Sequence, residues 1–166
     1  MHRETPMRTR PYLPADRQAC LAIFDSNVPR FFRTHERPEF EAFLDAPLPG
    51  PYLVLEDEHG IIGCGGWAFE DEARGLVHLC WGMVRHDRHG QGHGRTLLRE
   101  RLGGIRADPR ARAIDLHTSQ HTRGFYENLG FVIRQVVADG YAPGLDRVDM
   151  RLDLAAAPRA AGAPGT

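Results

Sequence analysis

The sequence predicts an α/β fold of the α+β kind, in which about four helices flank one mixed, mostly antiparallel sheet of seven strands. Residues 52–84 contain three runs of strand character separated by short turns, which is typical of an antiparallel meander. A glycine-rich turn at residues 90–94 then leads into a helical pattern. Two further strand-like runs, 131–138 and 147–154, follow the last helix. The 166 residues are enough for one buried core, so we expect a single domain over residues 1–154.

Composition restricts the classes of function. The formal net charge of -1 gives no global attraction to nucleic acid or to an anionic membrane. All 21 basic residues are arginine, which excludes the P-loop NTPases, because they require a lysine on the phosphates. The three cysteines are widely spaced, which disfavours both a disulfide framework and a thiolate zinc site.

Cellular location is inferred from what the chain lacks. The N-terminal residues have no apolar signal-peptide core, and no apolar run reaches the roughly 18 residues of a membrane span. Unpaired cysteines suit a reducing compartment, so we expect a cytoplasmic protein. The use of arginine alone is typical of a GC-rich, bacterial genome. Residues 155–166 are rich in Ala, Pro and Gly, and we expect a disordered tail there.

The N-terminal part is expected to hold one strand and two helices. The strand covers residues 7–12 and ends before Pro14. A helix follows, which we expect Asp16 to cap, and Pro38 begins a second helix. The side chains expected on one face of the first helix are Ala19, Ala22, Ile23 and Phe24.

The connection between these two helices carries cationic and aromatic side chains, namely Arg30, Phe31, Phe32 and Arg33. Two interpretations stay open. The phenylalanines anchor the connection in the core, or the four side chains line the mouth of a substrate site. The second interpretation favours an acceptor that bears a carboxylate or an aromatic group.

The middle strand of the meander, residues 61–69, is rich in glycine. Gly63, Gly65 and Gly66 are unfavourable in a strand interior, so they indicate a bulge or the close approach of another backbone. The third strand, residues 76–84, leads directly into the glycine-rich turn.

One helix, one strand and another helix follow the turn. Leu97, Leu98, Leu102 and Ile105 recur at the spacing of one helix face. Residues 113–117 form a short strand parallel to the strand before the turn, because a helix crosses between them. We expect Ser119 to cap the last helix and Gly130 to end it.

The turn itself is suited to a phosphate or pyrophosphate. Gly90, Gly92 and Gly94 let backbone N–H groups face a ligand, and the start of the next helix adds free amides and a positive dipole end. A dinucleotide-binding G-x-G-x-x-G turn would require glycine in place of Arg95 and a parallel βαβ unit. The antiparallel meander before the turn therefore disfavours a dinucleotide.

Two motifs in the expected order resemble those of the GCN5-related N-acetyltransferase (GNAT) family. Residues 84–98 are similar to its acyl-CoA motif, a strand ending in valine followed by Q/R-x-x-G-x-G/A. Residues 124–131, Gly-Phe-Tyr-Glu-Asn-Leu-Gly-Phe, are similar to its F-Y-x-x-x-G-F signature. The element order extends the likeness from about residue 7 to residue 154. The resemblance implies direct transfer of an acetyl group from acetyl-CoA to a primary amine of a small molecule or peptide.

The resemblance also implies how acetyl-CoA is held. Backbone amides of the turn would bind the CoA diphosphate, and the strand end would offer backbone hydrogen bonds to pantetheine. The cofactor-binding residues so implied are Met83, Val84, His89, Gly90, Gln91, Gly92, His93, Gly94 and Arg95. His89 departs from the Gln or Arg usual in the family. The sheet would splay between the strand ending at Val84 and the one ending near Thr118, with acyl-CoA in the gap.

The catalytic acid and base are implied less directly. Tyr126 lies where the family often places a general acid for the CoA thiolate, and a phenol with a pKa near 10 suits that task. Packing under the sheet is the alternative role for Tyr126. Family members often carry a base glutamate on the strand before the turn, but here His78 is the only group on that strand that titrates near neutral pH. His78 is therefore the expected base.

Other interpretations stay open beside these. Further candidates for the base are Glu70, Glu72 and His117, whereas Cys80 is disfavoured as a nucleophile because family members transfer the acyl group directly. A non-catalytic acyl-CoA-binding module is the first alternative function. A metal-dependent hydrolase using His86, His89, His93 and Asp87 is the second, but these residues straddle a turn and lack an H-E-x-x-H pattern, so no metal is expected. Family members are often dimers, which leaves a homodimer open.

Overall fold

The computed structural model describes residues 6–154, and it contains the predicted elements in the predicted order. The strands are β1 (Arg8–Pro11), β2 (Tyr52–Asp57), β3 (Gly60–Asp71), β4 (Leu76–Val84), β5 (Ala113–Thr118), β6 (Val132–Ala142) and β7 (Leu145–Asp153). The α-helices are α1 (Arg17–Ser26), α2 (Arg37–Asp45), α3 (His93–Arg106) and α4 (Arg123–Glu127). Within the described residues the seven strands form one sheet in the order β1-β2-β3-β4-β5-β7-β6, which confirms the predicted fold class. The predicted tail, residues 155–166, lies outside the described residues.

The chain divides into two compact units. The first comprises the residues up to Phe69 together with His78–Asp108. The second comprises Glu70–Val77 and the residues from Pro109 onward. The single domain over residues 1–154 stays a prediction. Of the helices in residues 6–154, none combines the length and the apolar character needed to cross a membrane.

In the first unit, α1 and α2 bury aromatic side chains. Phe24 and Phe40 are fully buried and their rings stack 5.6 Å apart. The buried face of α1 is Cys20, Leu21, Ile23 and Phe24. Ile23 and Phe24 are therefore buried as expected, but Ala22 is exposed, because the larger side chains of the helix occupy the core.

Asp16 is the N-cap residue of α1, as expected, but its side chain bonds elsewhere. A 3-10 turn, Pro14–Asp16, precedes the helix, and the Asp16 carboxylate accepts a hydrogen bond of 2.8 Å from the Leu13 N–H. Both oxygens of Asp16 also accept hydrogen bonds from the Arg10 guanidinium, at 2.8 and 2.9 Å. Asp16 thus caps the 3-10 turn and pairs with β1, and its side chain makes no cap bond to α1 itself.

In the second unit, β7 lies between β5 and β6 and pairs antiparallel with both. Its buried face is apolar and includes Val148 and Met150. β6 runs to Ala142, beyond the predicted end at residue 138, and its pairing with β7 is irregular between Val137 and Ala142. The cap of α4 is Thr122 and not Ser119; the Ser119 hydroxyl accepts from the His121 N–H instead, at 3.2 Å.

Candidate active site

The strand β4, a 3-10 turn (His86–Arg88), the glycine turn (residues 90–94) and α3 follow one another without interruption. Gly90 and Gly92 have φ of 75° and 83°, and a Cβ added to either would meet no heavy atom within 4 Å. The backbone conformation, and not crowding, therefore requires glycine at both positions. Gly92 is the N-cap of α3, so the first-turn amides and the positive dipole end of a 14-residue helix lie at this turn. Groups of this kind can bind an anion.

The Val84 carbonyl at the end of β4 is held by two side chains. It accepts hydrogen bonds from His89 Nε2 at 2.7 Å and from Asn27 Nδ2 at 2.9 Å. Asn27 is 2% exposed, and Nδ2 also donates to the Ile23 carbonyl at 2.9 Å. Both acceptors are carbonyl oxygens, so the side-chain atom that contacts them must be the donating nitrogen. This determines the orientation of the Asn27 amide. The bond to Val84 likewise requires a proton on Nε2 of His89.

The predicted substrate residues of the α1–α2 connection have different surroundings. Phe31 packs its ring edge-on against His89, with centroids 5.1 Å apart, and the Arg30 guanidinium lies over Phe31 at 5.4 Å. Phe32 instead packs against Phe24 in the core, at 4.9 Å. The Arg33 N–H donates to the Glu36 carboxylate at 2.6 Å. Phe32 is therefore a core anchor, whereas Arg30 and Phe31 lie beside the glycine turn.

The remaining side chains of the turn are polar and mostly exposed. His93 Nε2 lies 3.3 Å from Gln91 Oε1, and burial together with the nearby Arg88 charge lowers the pKa of His93. Arg88 is paired with Asp57 at 2.6 Å, whereas Arg95 is exposed. The guanidinium of Arg95 therefore lies in solvent at the start of α3. Among residues 6–154, no three His, Cys, Asp or Glu side chains converge in a way that would hold a metal ion.

Tyr126 lies on α4 in the second unit and is partly buried. Its ring packs edge-on against Phe125 and Phe131, with centroids 5.1 and 5.7 Å away, and its carbonyl accepts from the Phe131 N–H at 3.1 Å. Gly130, with φ of 97°, turns the chain back after the helix. The F-Y-x-x-x-G-F segment thus places Tyr126 between two aromatic rings that orient its phenol.

The candidate bases differ in their partners. His78 lies on β4 and is partly buried. Glu72 is engaged in an ion pair with Arg110. His117 Nδ1 lies 2.6 Å from Asp149 Oδ1, which also accepts from Arg147 at 2.9 Å. Burial would raise the pKa of Asp149, but the hydrogen bonds from Arg147 and His117 hold it below its usual value. The second unit therefore contains an imidazole oriented by an ionised carboxylate.

Neither Cys80 nor the buried Tyr52 is suited to a reactive role. Burial raises the pKa of the Cys80 thiol, which disfavours the thiolate that a nucleophile requires. Burial likewise raises the pKa of Tyr52, so its hydroxyl stays protonated and donates to the Trp81 carbonyl at 3.0 Å.

Sequence reasoning missed Asn27 and Arg101, two buried polar residues that hold β4. Asn27 had no recognisable signal, because its partner Val84 lies 57 positions away. For Arg101 there was an indirect signal in the sequence, namely the glycines of β3. A Cβ at Gly66 would lie 2.2 Å from the Pro51 carbonyl oxygen, whereas a Cβ at Gly65 would lie 3.0 Å from Arg101 Cζ. Close approach of another backbone was predicted there, and at Gly65 the added Cβ would meet both the Gly82 Cα, at 3.1 Å, and the Arg101 side chain.

The arrangement of strand, glycine turn and helix agrees with a family match. A model of the acetyltransferase (GNAT) domain matches residues 49–133, which is 85 of the 166 residues. The chain therefore belongs to the GNAT family, and it is an acetyltransferase by that membership. A comparison with curated proteins found no match.

Solved structures of the same fold cover nearly the whole chain. A proposed GNAT-family acetyltransferase from Desulfovibrio desulfuricans is 24% identical with a TM-score of 0.77, over 89% of this chain and 99% of that one. A proposed acetyltransferase from Salmonella typhimurium, with its cofactor acetyl-CoA, is 23% identical with a TM-score of 0.71, over 94% and 99%. The ribosomal-protein-S18-alanine N-acetyltransferase from Escherichia coli is 16% identical with a TM-score of 0.75, over 97% and 100%. At these identities the likeness shows the fold.

Proposed function

We propose that the protein is an N-acetyltransferase that moves the acetyl group of acetyl-CoA to a primary amine of a small molecule or peptide. The observation that carries the proposal is the glycine turn: two glycines at positive φ open directly onto the N-terminus of α3, in a chain of the GNAT family. Backbone amides there offer a site for a diphosphate that needs no lysine.

In the proposed complex, the turn and the end of β4 hold different parts of the donor. The CoA diphosphate takes the amides of residues 90–94, and the exposed Arg95 adds a positive charge. Pantetheine takes backbone hydrogen bonds from Met83 and Val84. Since the Val84 carbonyl already accepts two side-chain bonds, the contribution expected from Val84 is its N–H.

The transfer requires an amine nitrogen to attack the thioester carbonyl, so that a C–N bond forms and the C–S bond breaks. The departing CoA thiolate takes a proton, for which the family resemblance and the oriented phenol support Tyr126. The amine loses a proton, and His78 is the base that the sequence favours.

A second candidate base is His117, and one observation favours it. Asp149 Oδ1 lies 2.6 Å from His117 Nδ1 and so orients the imidazole, as the carboxylate of a catalytic triad orients its histidine. The side chain of His117 is 47% exposed, so proton exchange with solvent is open to it.

For the acceptor, Arg30 and Phe31 beside the glycine turn support an amine that also carries a carboxylate or an aromatic group. The Escherichia coli relative in fold acts on a ribosomal-protein alanine, so a peptide amine belongs among the acceptors to test.

The test is a thiol-release screen with acetyl-CoA and a panel of amines, amino acids, antibiotics and peptides, with mass spectrometry of the products. We expect thiol release with at least one amine and an acetylated product. Binding of acetyl-CoA without release for any acceptor would favour the non-catalytic binding module. Hydrolysis of a panel compound without release of the CoA thiol, by protein that requires stoichiometric metal, would favour the metal-dependent hydrolase.

A further inference from the structure

Arg101 lies on the buried face of α3, between Leu98 and Ile105, and it is 3% exposed. This spacing belongs to the face of an amphipathic helix that normally carries apolar side chains. Burying a guanidinium is costly unless its donors meet acceptors. An arginine at this position therefore points to a role beyond filling the core.

The guanidinium joins α3 to two strands. Nε and Nη2 both donate to the Gly66 carbonyl of β3, at 3.2 and 2.8 Å, and Nη2 also donates to the Cys80 carbonyl of β4, at 3.2 Å. Two glycines make room for it. A Cβ on Gly82 would lie 2.3 Å from Nη1, and a Cβ on Gly65 would lie 3.0 Å from Cζ.

The bond to Cys80 lies next to an unusual backbone position of β4. Trp81 has φ of 39°, which a bulky residue adopts only where its surroundings over-determine it. The carbonyls on both sides of this conformation are held by side chains: that of Cys80 by Arg101 and that of Trp81 by the Tyr52 hydroxyl. Arg101 thus helps to determine the path of β4 just before Met83 and Val84.

Arg101 also lies on α3, the helix that begins at the glycine turn. Arg101 lies eight residues after His93, the first residue of α3, which is about 12 Å along a rigid helix. We infer that Arg101 is a positioning residue, which sets the distance between the glycine turn and the end of β4 so that both engage one acyl-CoA molecule together. The inference rests on the proposed function.

A ligand held at two linked places binds tightly only when both places are at the correct separation. Loss of Arg101 is therefore expected to weaken the binding of a ligand that contacts both the glycine turn and β4. The binding of a ligand that contacts only the glycine turn should not change. Acetyl-CoA is the first kind of ligand. ADP, which has the diphosphate and no pantetheine, is the second.

The test compares Arg101→Met with Arg99→Met, an exposed arginine of the same helix, by calorimetric titration of both ligands. Because simultaneous engagement of two linked sites can raise affinity by about 100-fold or more, we expect Arg101→Met to weaken acetyl-CoA binding at least about 10-fold and ADP binding less than about 2-fold. Arg99→Met should change neither. Unchanged acetyl-CoA binding in Arg101→Met, or equal losses for both ligands, would overturn the inference. Absence of acetyl-CoA binding by the wild type would overturn the proposed function and this inference with it.

Two further variants test the positioning role of Arg101 if Arg101→Met does not fold. Gly82→Ala places a Cβ against Nη1 and displaces the guanidinium without removing its charge, so the same selective loss is expected. Arg101→Lys keeps a donor and should give an acetyl-CoA affinity between those of the wild type and Gly82→Ala. Amide hydrogen exchange at residues 80–84 should be faster in Gly82→Ala than in the wild type. Wild-type affinity for acetyl-CoA in Gly82→Ala, or unchanged exchange at 80–84, would contradict the positioning role.

Discussion

The side-chain amide of Asn27 donates a 2.9 Å hydrogen bond to the Val84 carbonyl and so ties the end of α1 to the end of β4. The same nitrogen donates to the Ile23 carbonyl. Ser26 adds a second tie, because its hydroxyl accepts from the His86 N–H at 3.0 Å. The entrance to the glycine turn is therefore stabilised by the C-terminal end of a helix that lies far from it in sequence.

We expect Asn27→Leu to destabilise the protein by about 1–3 kcal/mol, because the substitution leaves two buried carbonyls with fewer donors. Urea denaturation followed by circular dichroism measures the change. Asn128→Leu, at an exposed position after α4, is the control and should change the free energy of unfolding by less than about 0.5 kcal/mol. Equal stabilities of the two variants would show that the Asn27 bonds contribute nothing.

Gly92→Ala should weaken acetyl-CoA binding and destabilise the fold. The φ of 83° at Gly92 disfavours any residue with a Cβ by about 1 kcal/mol, and relief of that strain would move the amides of the turn. Gly103→Ala is a matched control, because Gly103 lies inside α3, has no positive φ, and an added Cβ would meet nothing within 4 Å. The control should gain up to about 1 kcal/mol of stability and keep its affinity. A Gly92→Ala variant with unchanged affinity would exclude this turn as the diphosphate site.

Tyr126→Phe tests the proposed acid. We expect kcat to fall by on the order of 10- to 1000-fold with little change in the affinity for acetyl-CoA, because only the proton for the thiolate is lost. Tyr141→Phe, the same change on β6, is the control and should retain its activity. Full turnover by Tyr126→Phe across the pH range would assign Tyr126 to packing alone.

His78→Gln and His117→Gln, compared side by side, identify the base. The variant that lacks the base should lose the rise of kcat/KM with pH through the range where an imidazole titrates, whereas the other should retain it. We expect the loss in His78→Gln. If it occurs in His117→Gln, and Asp149→Asn shifts the profile of the otherwise intact enzyme, the base is His117. Retention of the rise in both variants would exclude both histidines.

The Arg10–Asp16 pair predicts how stability depends on pH. Hydrogen bonds from Arg10 hold the pKa of Asp16 below its ordinary value, against the opposing effect of burial. A depressed folded-state pKa contributes stability above the unfolded value near 4, and that stability is lost as the pH falls through the folded pKa. We therefore expect Asp16→Asn to be destabilised by about 2 kcal/mol at pH 7, with the difference from wild type shrinking below about pH 4. A difference that does not change between pH 7 and pH 2 would contradict the linkage.

The parts of the fold that the sequence predicted well have local signatures. Strand alternation, the glycines at 90 and 92 and the helix that follows them each depend on residues that are neighbours in the chain, so the strand, turn and helix were all predicted. The predicted face of α1 was correct for Ile23 and Phe24 and wrong for the alanines, because Cys20 and Leu21 occupy the core in their place. A short segment with apolar residues on several sides does not show which of them the rest of the protein covers.

The buried polar residues could not be predicted for a different reason. Asn27 and Arg101 have side chains that are usually exposed, and only their distant carbonyl partners justify their burial. Gly65 and Gly82 make the slot for Arg101, yet in the sequence Gly65 indicates only a bulge or the close approach of another backbone. The partners of a side chain from another element become visible only once the elements are packed.

The measurement that tests the function most directly is a calorimetric titration of the wild-type protein with acetyl-CoA, with Gly92→Ala and Gly103→Ala as the matched pair. We expect saturable binding of one acetyl-CoA per chain, retained in Gly103→Ala and weakened in Gly92→Ala. No binding by the wild type at millimolar acetyl-CoA would contradict the assignment of the glycine turn as an acyl-CoA site.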